Sequence, residues 1–405
     1  MTADAANVYD TLLQRGLIAQ CSDAAALRAA LEPGGPPITV YCGYDATAPS
    51  LHVGHLVPIT ILVHLQRAGH RVIAVVGGGT TRIGDPTGKS AVRPMMGDAE
   101  IDANVERIQR QLAHHLDFTE GRALMVNNAE WLLKLGYIDF LREIGRHFTV
   151  NQLMQHETYW ERFQNSSLSF IEMNYAMIQA YDFLHLFRAH GCRLQVGGND
   201  QWYNILAGVD LTRRAADGQA FALTGPLLTT ASGAKMGKTE AGAVWLDPEQ
   251  MAPYDFYQYW RNTEDLDVGR FLRIFTFLAE DEIARLKRLK GAEINRAKEV
   301  LAFEVTRRVH GDSEAARAQE TARARFGGST GAADQGPTVT VSHVADLSAL
   351  IVLAGLADSR GAEKRLIKGG GVRLGANKEP TDRPVRPSEL PSLLGVGKRR
   401  VLLEP

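Results

Sequence analysis

A doubly wound, parallel α/β sheet is the fold class that this sequence predicts for residues 1–246, and two observations predict it. Four short runs of β-branched, aliphatic or aromatic residues fall at 38–42, 72–76, 123–126 and 193–196. Helical stretches separate them, and strands that alternate with helices pack as parallel βαβ units.

The elements follow in order. Val8, Leu12 and Leu13 recur at helical spacing ahead of Gly16, which stands where a helix C-cap belongs, so the chain opens on a short helix. The first strand, 38–42, leads through a polar loop ending near Ser50 into a helix expected from about Gly54 to Ala68. Pro58 fits only its first turn, which sets the helix start at Gly54 or His55. Between the third and fourth strands lies a long, mostly helical insertion at about 130–190, suited to specificity or to a dimer contact. From 247 to 326 the pattern is helical throughout, with apolar clusters at Ile274, Phe275, Phe277 and Leu278 and again at Leu286 and Leu289. Residues 327–336, GGSTGAADQG, hold no apolar side chain larger than Ala and read as a flexible linker. A small module, 337–405, completes an expected organisation of sheet domain, all-α domain, linker and terminal module.

At 405 residues the chain is longer than a single compact core requires, and several domains are expected. Its composition, 45% hydrophobic and 22% charged, is that of an ordinary globular protein and excludes collagen-like, disordered or disulfide-scaffold classes. The net charge of −1 gives no global sign of nucleic-acid binding, so any basic surface must be local. Cys21, Cys42 and Cys192 are far apart and form no Cys-x-x-Cys pair, which leaves no readable zinc site or disulfide framework. No apolar run approaches the ~18 residues of a membrane span and no signal-peptide core precedes Arg15, so a soluble, cytoplasmic protein without membrane partners is expected.

The most informative stretch runs from Tyr41 to His55, YCGYDATAPSLHVGH. His52 and His55 lie three apart across the start of a helix that follows the first strand, where outward N–H groups and the positive helix end favour anions. A metal pair or two incidental surface histidines are the alternatives. A second motif narrows the choice: Lys235-Met236-Gly237-Lys238-Thr239, in a loop beyond the last strand, carries two lysines three apart that can clamp phosphate oxygens as mobile point charges. Two other nucleotide motifs fail. Gly84–Ser90 has three residues between its glycines where a P-loop needs four, and Gly77-Gly78-Gly79 does not complete a dinucleotide fingerprint. On a helix within the insertion, Tyr175, Gln179 and Asp182 stand at i, i+4 and i+7 and share one face. Flanking Met177, Ile178, Phe183 and Leu184 imply burial, so three polar groups there suggest a pocket wall rather than a surface stripe.

Taken together, His-Val-Gly-His and Lys-Met-Gly-Lys-Thr resemble the paired HIGH and KMSKS signatures of the class I aminoacyl-tRNA synthetases, on a Rossmann-like catalytic domain. Gly237 in place of serine is similar to many bacterial tyrosyl enzymes, and the resemblance to the tyrosyl branch spans essentially the whole chain. It implies a tyrosine pocket in which Tyr41 and Asp182 meet the substrate hydroxyl. Asp85, Tyr175 and Gln179 would hold the ammonium group and Gln201 would lie near the carboxylate. Asp45, Gly198 and Asp200, with Gly43 and Gly54, would line the ATP site, while Thr47, His52, His55, Lys235 and Lys238 would act on the phosphates. Tyr203 departs from the pattern, since a small residue is commoner there. The resemblance further implies ATP as substrate with Mg²⁺ accompanying it, L-tyrosine and tRNA as partners, no structural metal, and a homodimer formed through the insertion.

The last module supplies the RNA side. Arg360, Lys364, Arg365 and Lys368 would cluster on a helix before a glycine turn, a basic face suited to phosphate, although a solvated charged helix is the plain alternative. The segment looks like a small RNA-binding fold shared with a ribosomal small-subunit protein and some pseudouridine synthases. Lys89 and Arg93 are further candidates for the acceptor end of tRNA. A tryptophanyl enzyme shares the fold and both signatures, and a non-catalytic RNA-binding protein on a synthetase fold is the rival from another class. Tyr41 with Asp182 argues for a phenol, and intact His52, His55, Lys235 and Lys238 argue for catalysis.

Overall fold

The computed structural model describes residues 6–87, 96–155, 157–165, 167–230, 236, 238–239 and 242–326, and in the last part 338–340, 351, 372–374, 379–380, 392–396 and 399–404. The chain divides into two units, 1–319 and 320–405.

The first unit is built on a six-stranded sheet. Its strands are β1 (Gln20–Cys21), β2 (Thr39–Asp45), β3 (Arg71–Gly77), β4 (Ala123–Asn127), β5 (Cys192–Gly198) and β6 (Phe221–Gly225), in the spatial order β1-β6-β5-β2-β3-β4. All neighbours run parallel except β1, which pairs antiparallel with β6. In β3, RVIAVVG, every residue after Arg71 is buried, the near-continuous apolar run that a parallel strand covered on both faces requires. From β2 the chain winds outward one way through β3 and β4, then returns to lay β5 and β6 on the other side. The switch point lies between β2 and β5, where a crevice opens beyond the strand ends.

The sheet has two strands more than the four expected. Phe221–Gly225 reads FALTG, short and with Ala and Gly, which strands disfavour, while Gln20–Cys21 is a strand only because β6 offers an edge to pair with.

The opening helix is α1 (Val8–Gln14), capped by the Asn7 side chain, which accepts from the Tyr9 N–H; Gly16 follows at φ +71°. Helix α2 (Ala24–Ala30) comes next, then α3 (Leu56–Arg67), entered through a 3₁₀ turn at Val53–His55. Helix α4 (Asp98–Ala113) connects β3 to β4. The insertion holds α5 (Ala129–Leu132), α6 (Tyr137–Glu143), α7 (Val150–Leu153), α8 (Glu157–Asn165) and the long α9 (Phe170–His190). Ser169 and Glu172 form a capping box at the start of α9, and Gly191 ends it at φ +60°. Helix α10 (Trp202–Ala216) precedes β6. Tyr41, Ile73 and Val75 share a core cluster with Trp131, Phe183 and Leu186, so the odd-numbered residues of β2 turn toward α9. The two-residue period puts Gly43 and Asp45 on that face and Tyr44 on the other.

A short hairpin, β7 (Lys238–Thr239) and β8 (Gly242–Ala243), leads to the helical region α11 (Pro253–Arg261), α12 (Val268–Phe275), α13 (Glu280–Lys287), α14 (Ile294–His310) and α15 (Asp312–Phe326). Its core is aromatic: the ring of Trp260 meets that of Phe275 at 4.7 Å and that of Phe271 at 6.0 Å, both edge-on.

The second unit carries a five-stranded sheet of β9 (Thr338–Thr340), β10 (Val372–Leu374), β11 (Glu379–Pro380), β12 (Ser392–Val396) and β13 (Arg399–Glu404), in the order β11-β10-β12-β13-β9. The linker expected at 327–336 lies outside the described residues, as do the side chains of Arg360, Lys364, Arg365 and Lys368. Among the described residues no helix is long and apolar enough to cross a membrane.

Candidate active site

The crevice at the switch point is floored by strand ends without bulk. Gly43 sits on β2 near the middle of the sheet yet is exposed, with open space where a side chain would stand. Gly77, ending β3, is needed for a different reason: a Cβ there would sit 2.2 Å from Asp45 Oδ1. The Asp45 carboxylate is therefore pressed against bare backbone. Its Oδ1 accepts from the Thr80 hydroxyl at 2.6 Å and its Oδ2 from the Tyr175 hydroxyl at 2.9 Å.

Deeper on the same face lies a pocket of buried polar groups. Asp182 is buried on α9, yet both carboxylate oxygens have donors: Trp131 Nε1 reaches Oδ1 at 2.7 Å and Asn128 Nδ2 reaches Oδ2 at 2.9 Å. Burial pushes this carboxyl up to about 7 against the pull of those two hydrogen bonds, and the charge of Asp45 adds to the rise. Tyr41 stands beside it, edge-on to Phe183 with ring centroids 5.2 Å apart. Burial first, then Asp182, raise its phenol well above the usual range. The Tyr41 hydroxyl is buried and has no hydrogen-bond partner among the described residues. An orphaned buried hydroxyl costs stability unless a ligand completes it.

The wall continues through two more unpartnered acceptors, Gln179 Oε1 on α9 and Gln195 Oε1 on β5, where Gln195 is the register partner of Tyr41. Gln201 Nε2 donates to Asp85 Oδ2 at 2.7 Å, and Asn204 Nδ2 holds Gln201 Oε1 at 3.1 Å. Asn128 ties the two halves together: Gly79 N–H donates to its Oδ1 at 2.7 Å, and its Nδ2 also reaches Thr80 Oγ1 at 3.0 Å. One chain of hydrogen bonds thus runs from Asp182 through Asn128, Thr80 and Asp45 to Tyr175.

At the mouth, His52 and His55 form a capping box around the 3₁₀ turn. Gly54 N–H donates to His52 Nδ1 at 3.1 Å and His52 N–H to His55 Nδ1 at 3.0 Å, which fixes the neutral tautomer with its hydrogen on Nε2 in each ring. Burial, and then the neighbouring His52, press the His55 pKa well below the ordinary histidine value. Gly54 carries no Cβ because one would stand 2.8 Å from the His52 ring.

The segment after the lysine motif pairs with the histidine motif. His52 forms a β-bridge with Trp245, Val53 N–H donates to Val244 O at 2.9 Å, and Leu246 N–H donates to Leu51 O at 2.9 Å. Backbone hydrogen bonds therefore fasten the histidine motif to the segment that follows the lysine motif. Residues 20–327 match the family of tRNA synthetases class I (W and Y). The chain belongs to this synthetase family.

Curated relatives agree. The chain is 51% identical over 373 residues to the tyrosine–tRNA ligase of Lachnoclostridium phytofermentans, covering 91% of this chain and 90% of the relative. It is 50% identical over 406 residues to that of a Caulobacter species, covering 97% and 96%. Among solved structures it is similar to a C-terminally truncated mitochondrial tyrosyl-tRNA synthetase of Aspergillus nidulans, at 28% identity and a TM-score of 0.72, over 80% of this chain and 95% of that one. A tryptophanyl-tRNA synthetase of Encephalitozoon cuniculi, at 15% identity and a TM-score of 0.57 over 77% and 89%, shares the fold alone.

Of the residues expected in a synthetase site, Tyr41, Asp45, Asp85, Tyr175, Gln179, Asp182 and Gln201 are brought together in this crevice. Thr47 is half-buried just past the end of β2, and Gly198 and Asp200 lie at the end of β5, where a Cβ on Gly198 would stand 2.5 Å from Asp200 Oδ1. Lys238 belongs to β7 rather than to a loop, because Gly242–Ala243 offers an antiparallel partner with Ala243 in register with it. Lys89, Arg93 and Lys235 lie outside the described residues, and of Lys238 only the backbone is described. Tyr203 is on α10, 42% exposed. Thr80, Asn128, Trp131 and Gln195 were not anticipated. Two carried a signal: Asn128 comes directly after a strand end in a doubly wound sheet, and Gln195 interrupts an otherwise apolar strand.

Proposed function

We propose that this chain is a tyrosine–tRNA ligase that forms tyrosyl-adenylate from tyrosine and ATP and then esterifies a terminal ribose hydroxyl of its tRNA. One observation carries the choice of amino acid: the unpartnered Tyr41 hydroxyl beside a carboxylate, Asp182, that is oriented by Asn128 and Trp131. A phenol hydroxyl completes such a pair, donating to Asp182 and accepting from Tyr41, and an indole offers no acceptor.

In the first step a tyrosine carboxylate oxygen bonds to the α-phosphorus of ATP while the bond from that phosphorus to the bridging oxygen breaks, and pyrophosphate leaves. No covalent enzyme intermediate forms. Tyr175, Gln179 and Asp85 hold the ammonium group and Gln201 the carboxylate end. Asp45, Gly43, Gly198 and Asp200 receive the nucleoside, with Gly54 keeping the backbone close. His52, His55, Thr47, Lys235 and Lys238 neutralise the charge that develops on pyrophosphate, and Mg²⁺ arrives with the nucleotide. Positioning and charge stabilisation supply the catalysis. In the second step the ribose hydroxyl attacks the carbonyl carbon of the mixed anhydride and AMP leaves.

The functional division follows the expected domain organisation: residues 1–246 would form the adenylate, 247–326 would face the anticodon side, and 337–405 would grip tRNA beyond the 327–336 tether, with Lys89 and Arg93 near the acceptor end. The work is cytoplasmic because ATP and tRNA are there. A homodimer forms through the insertion. Leu133, Tyr137, Ile138, Trp160, Phe163 and Phe170 are more than half exposed there, a concentration of large apolar side chains of the kind that marks a protein interface.

Tyrosine-dependent exchange of labelled pyrophosphate into ATP tests the reading. Exchange supported by tryptophan instead would reassign the pocket, and no exchange with either would make the chain a non-catalytic RNA binder.

A further inference from the structure

A buried guanidinium joins the helical region to the histidine signature. Arg308, on α14, donates through Nη1 to Thr60 Oγ1 at 2.6 Å, and Thr60 passes the bond on by donating to Leu56 O at 2.5 Å. Leu56 is the first residue of α3 and adjoins His55. The same guanidinium lies 5.0 Å from the ring centroid of Phe277 and accounts for a weaker bond to Phe275 O at 3.4 Å. Its Nη2 is buried with no hydrogen-bond partner among the described residues, and no carboxylate among them pairs with it. Burial and then the nearby charge of Arg67 press its pKa down to about 9, with Tyr44 partly restoring it, so the group stays a cation at neutral pH.

A second contact reaches the histidines from the other side. Tyr44 projects from β2 on the face away from α9, its ring edge-on to His55 with centroids 6.1 Å apart. His55 in turn lies 4.0 Å from His52, ring to ring. Burial raises the Tyr44 phenol well above its usual range, and the Arg308 cation offsets only part of that rise. A single arginine of the helical region therefore touches the first turn of α3 through Thr60. A buried cation without an anion is costly to keep, and an apolar side chain of its length would fill the same space more cheaply.

We propose that Arg308 is a positioning residue for adenylate formation: through Thr60 it holds the start of α3, and with it His52 and His55, in register for the phosphates. The inference rests on the tyrosine-activating function proposed above. It requires the helical region to be intact during the first step, although no residue assigned to that step lies beyond Lys238.

The test uses the full chain with Arg308→Met and, because that variant removes a buried charge, Thr60→Val as a second and milder break in the same chain of bonds. Folding is checked by thermal unfolding, tyrosine affinity by equilibrium dialysis, and kcat and KM for ATP by pyrophosphate exchange. Each variant should lower kcat roughly tenfold or more while tyrosine affinity stays within about twofold of the unaltered chain. The deciding measurement repeats both in a His52→Asn background, where the loss should shrink to about twofold, because residues that act through one another are not additive. Equal losses in both backgrounds, or full kcat in both variants, overturn the proposal. Should Arg308→Met fail to fold, Thr60→Val decides alone by the same criteria. Absence of tyrosine-dependent exchange in the unaltered chain would instead overturn the function itself, so the two failures are distinguishable.

Discussion

Asn128 Nδ2 donates to Asp182 Oδ2 at 2.9 Å, so the carboxylate on the long helix of the insertion is held by an amide 54 residues earlier, at the end of a strand. The same amide nitrogen contacts Thr80, and its oxygen receives the Gly79 N–H. Asn128 is 1% exposed, so removing it leaves buried donors and acceptors unmatched on both sides. Asn128→Ala should weaken tyrosine binding by roughly 10- to 100-fold, the size expected for one hydrogen bond to a buried charge, and should lower the melting temperature. Equilibrium dialysis and thermal unfolding check both. Unchanged tyrosine affinity would separate Asn128 from the pocket.

The carboxyl of Asp182, pushed up to about 7 by burial, gives the pocket a pH dependence. Its neutral form carries a hydrogen and donates where the substrate hydroxyl needs an acceptor; its ionised form accepts. Tyrosine affinity should therefore rise with pH through about 7. The folded chain binds this proton more tightly than the unfolded chain does, so its contribution to stability is present at acid pH and falls as pH rises from about 4 to about 7. Asp182→Asn should flatten that fall. Asn128→Ala removes a bond that favours the ionised form, so it should move the midpoint of tyrosine binding to higher pH. A midpoint that moves down, or stays, would show that another group titrates.

The sheet and the chemistry were legible in the sequence to different depths. Strands β2 to β5 announced themselves as short runs, mostly apolar, set between helical stretches, with β3 apolar throughout after Arg71. The two left unread, β1 and β6, differ in kind: Gln20–Cys21 has no strand character of its own and exists through pairing with β6. In the pocket, Tyr175, Gln179 and Asp182 could be read because helix periodicity alone puts them on one face. Trp131 and Thr80 could not, since they reach Asp182 and Asp45 across elements that only the tertiary fold brings together. Arg308 is the extreme case, 248 residues from the Thr60 it bonds.

Tyr41 should set the rejection of phenylalanine. Its hydroxyl is buried without a partner among the described residues, so a substrate lacking the phenol oxygen leaves both it and Asp182 unanswered. Tyrosyl-tRNA synthetases are themselves the standard example of such rejection, about 10⁵-fold, and that figure belongs to the family rather than to this geometry. Tyr41→Phe should weaken tyrosine activation and narrow the ratio of kcat/KM for tyrosine over phenylalanine. The replacement keeps the edge-on contact with Phe183, so stability should hold or rise. A ratio equal to that of the unaltered chain would remove Tyr41 from specificity.

Truncation after Phe326 should leave tyrosine activation almost untouched and abolish or severely weaken transfer to tRNA. All residues assigned to the adenylate step, Arg308 included, precede the cut, and the cut falls after helix α15 closes. Residues 327–336 have too little apolar surface to pack firmly, so removal of the terminal module should not unfold the catalytic and helical regions before it. From Thr340 to Pro405 the chain carries eleven basic and seven acidic residues, a balance of +4 within a protein whose total is −1. Phosphate attraction is thus concentrated at this end, and binding that rests on it must weaken as salt displaces the condensed counterions. Pyrophosphate exchange and tRNA charging, each measured at two salt concentrations on the full and shortened chains, separate the outcomes. Charging by the full chain should fall with salt while exchange should not, and the shortened chain should keep exchange within about twofold. Full-strength charging with the same salt dependence in the shortened chain would show that this module is not the tRNA anchor. Loss of exchange would show that the catalytic unit needs it to fold.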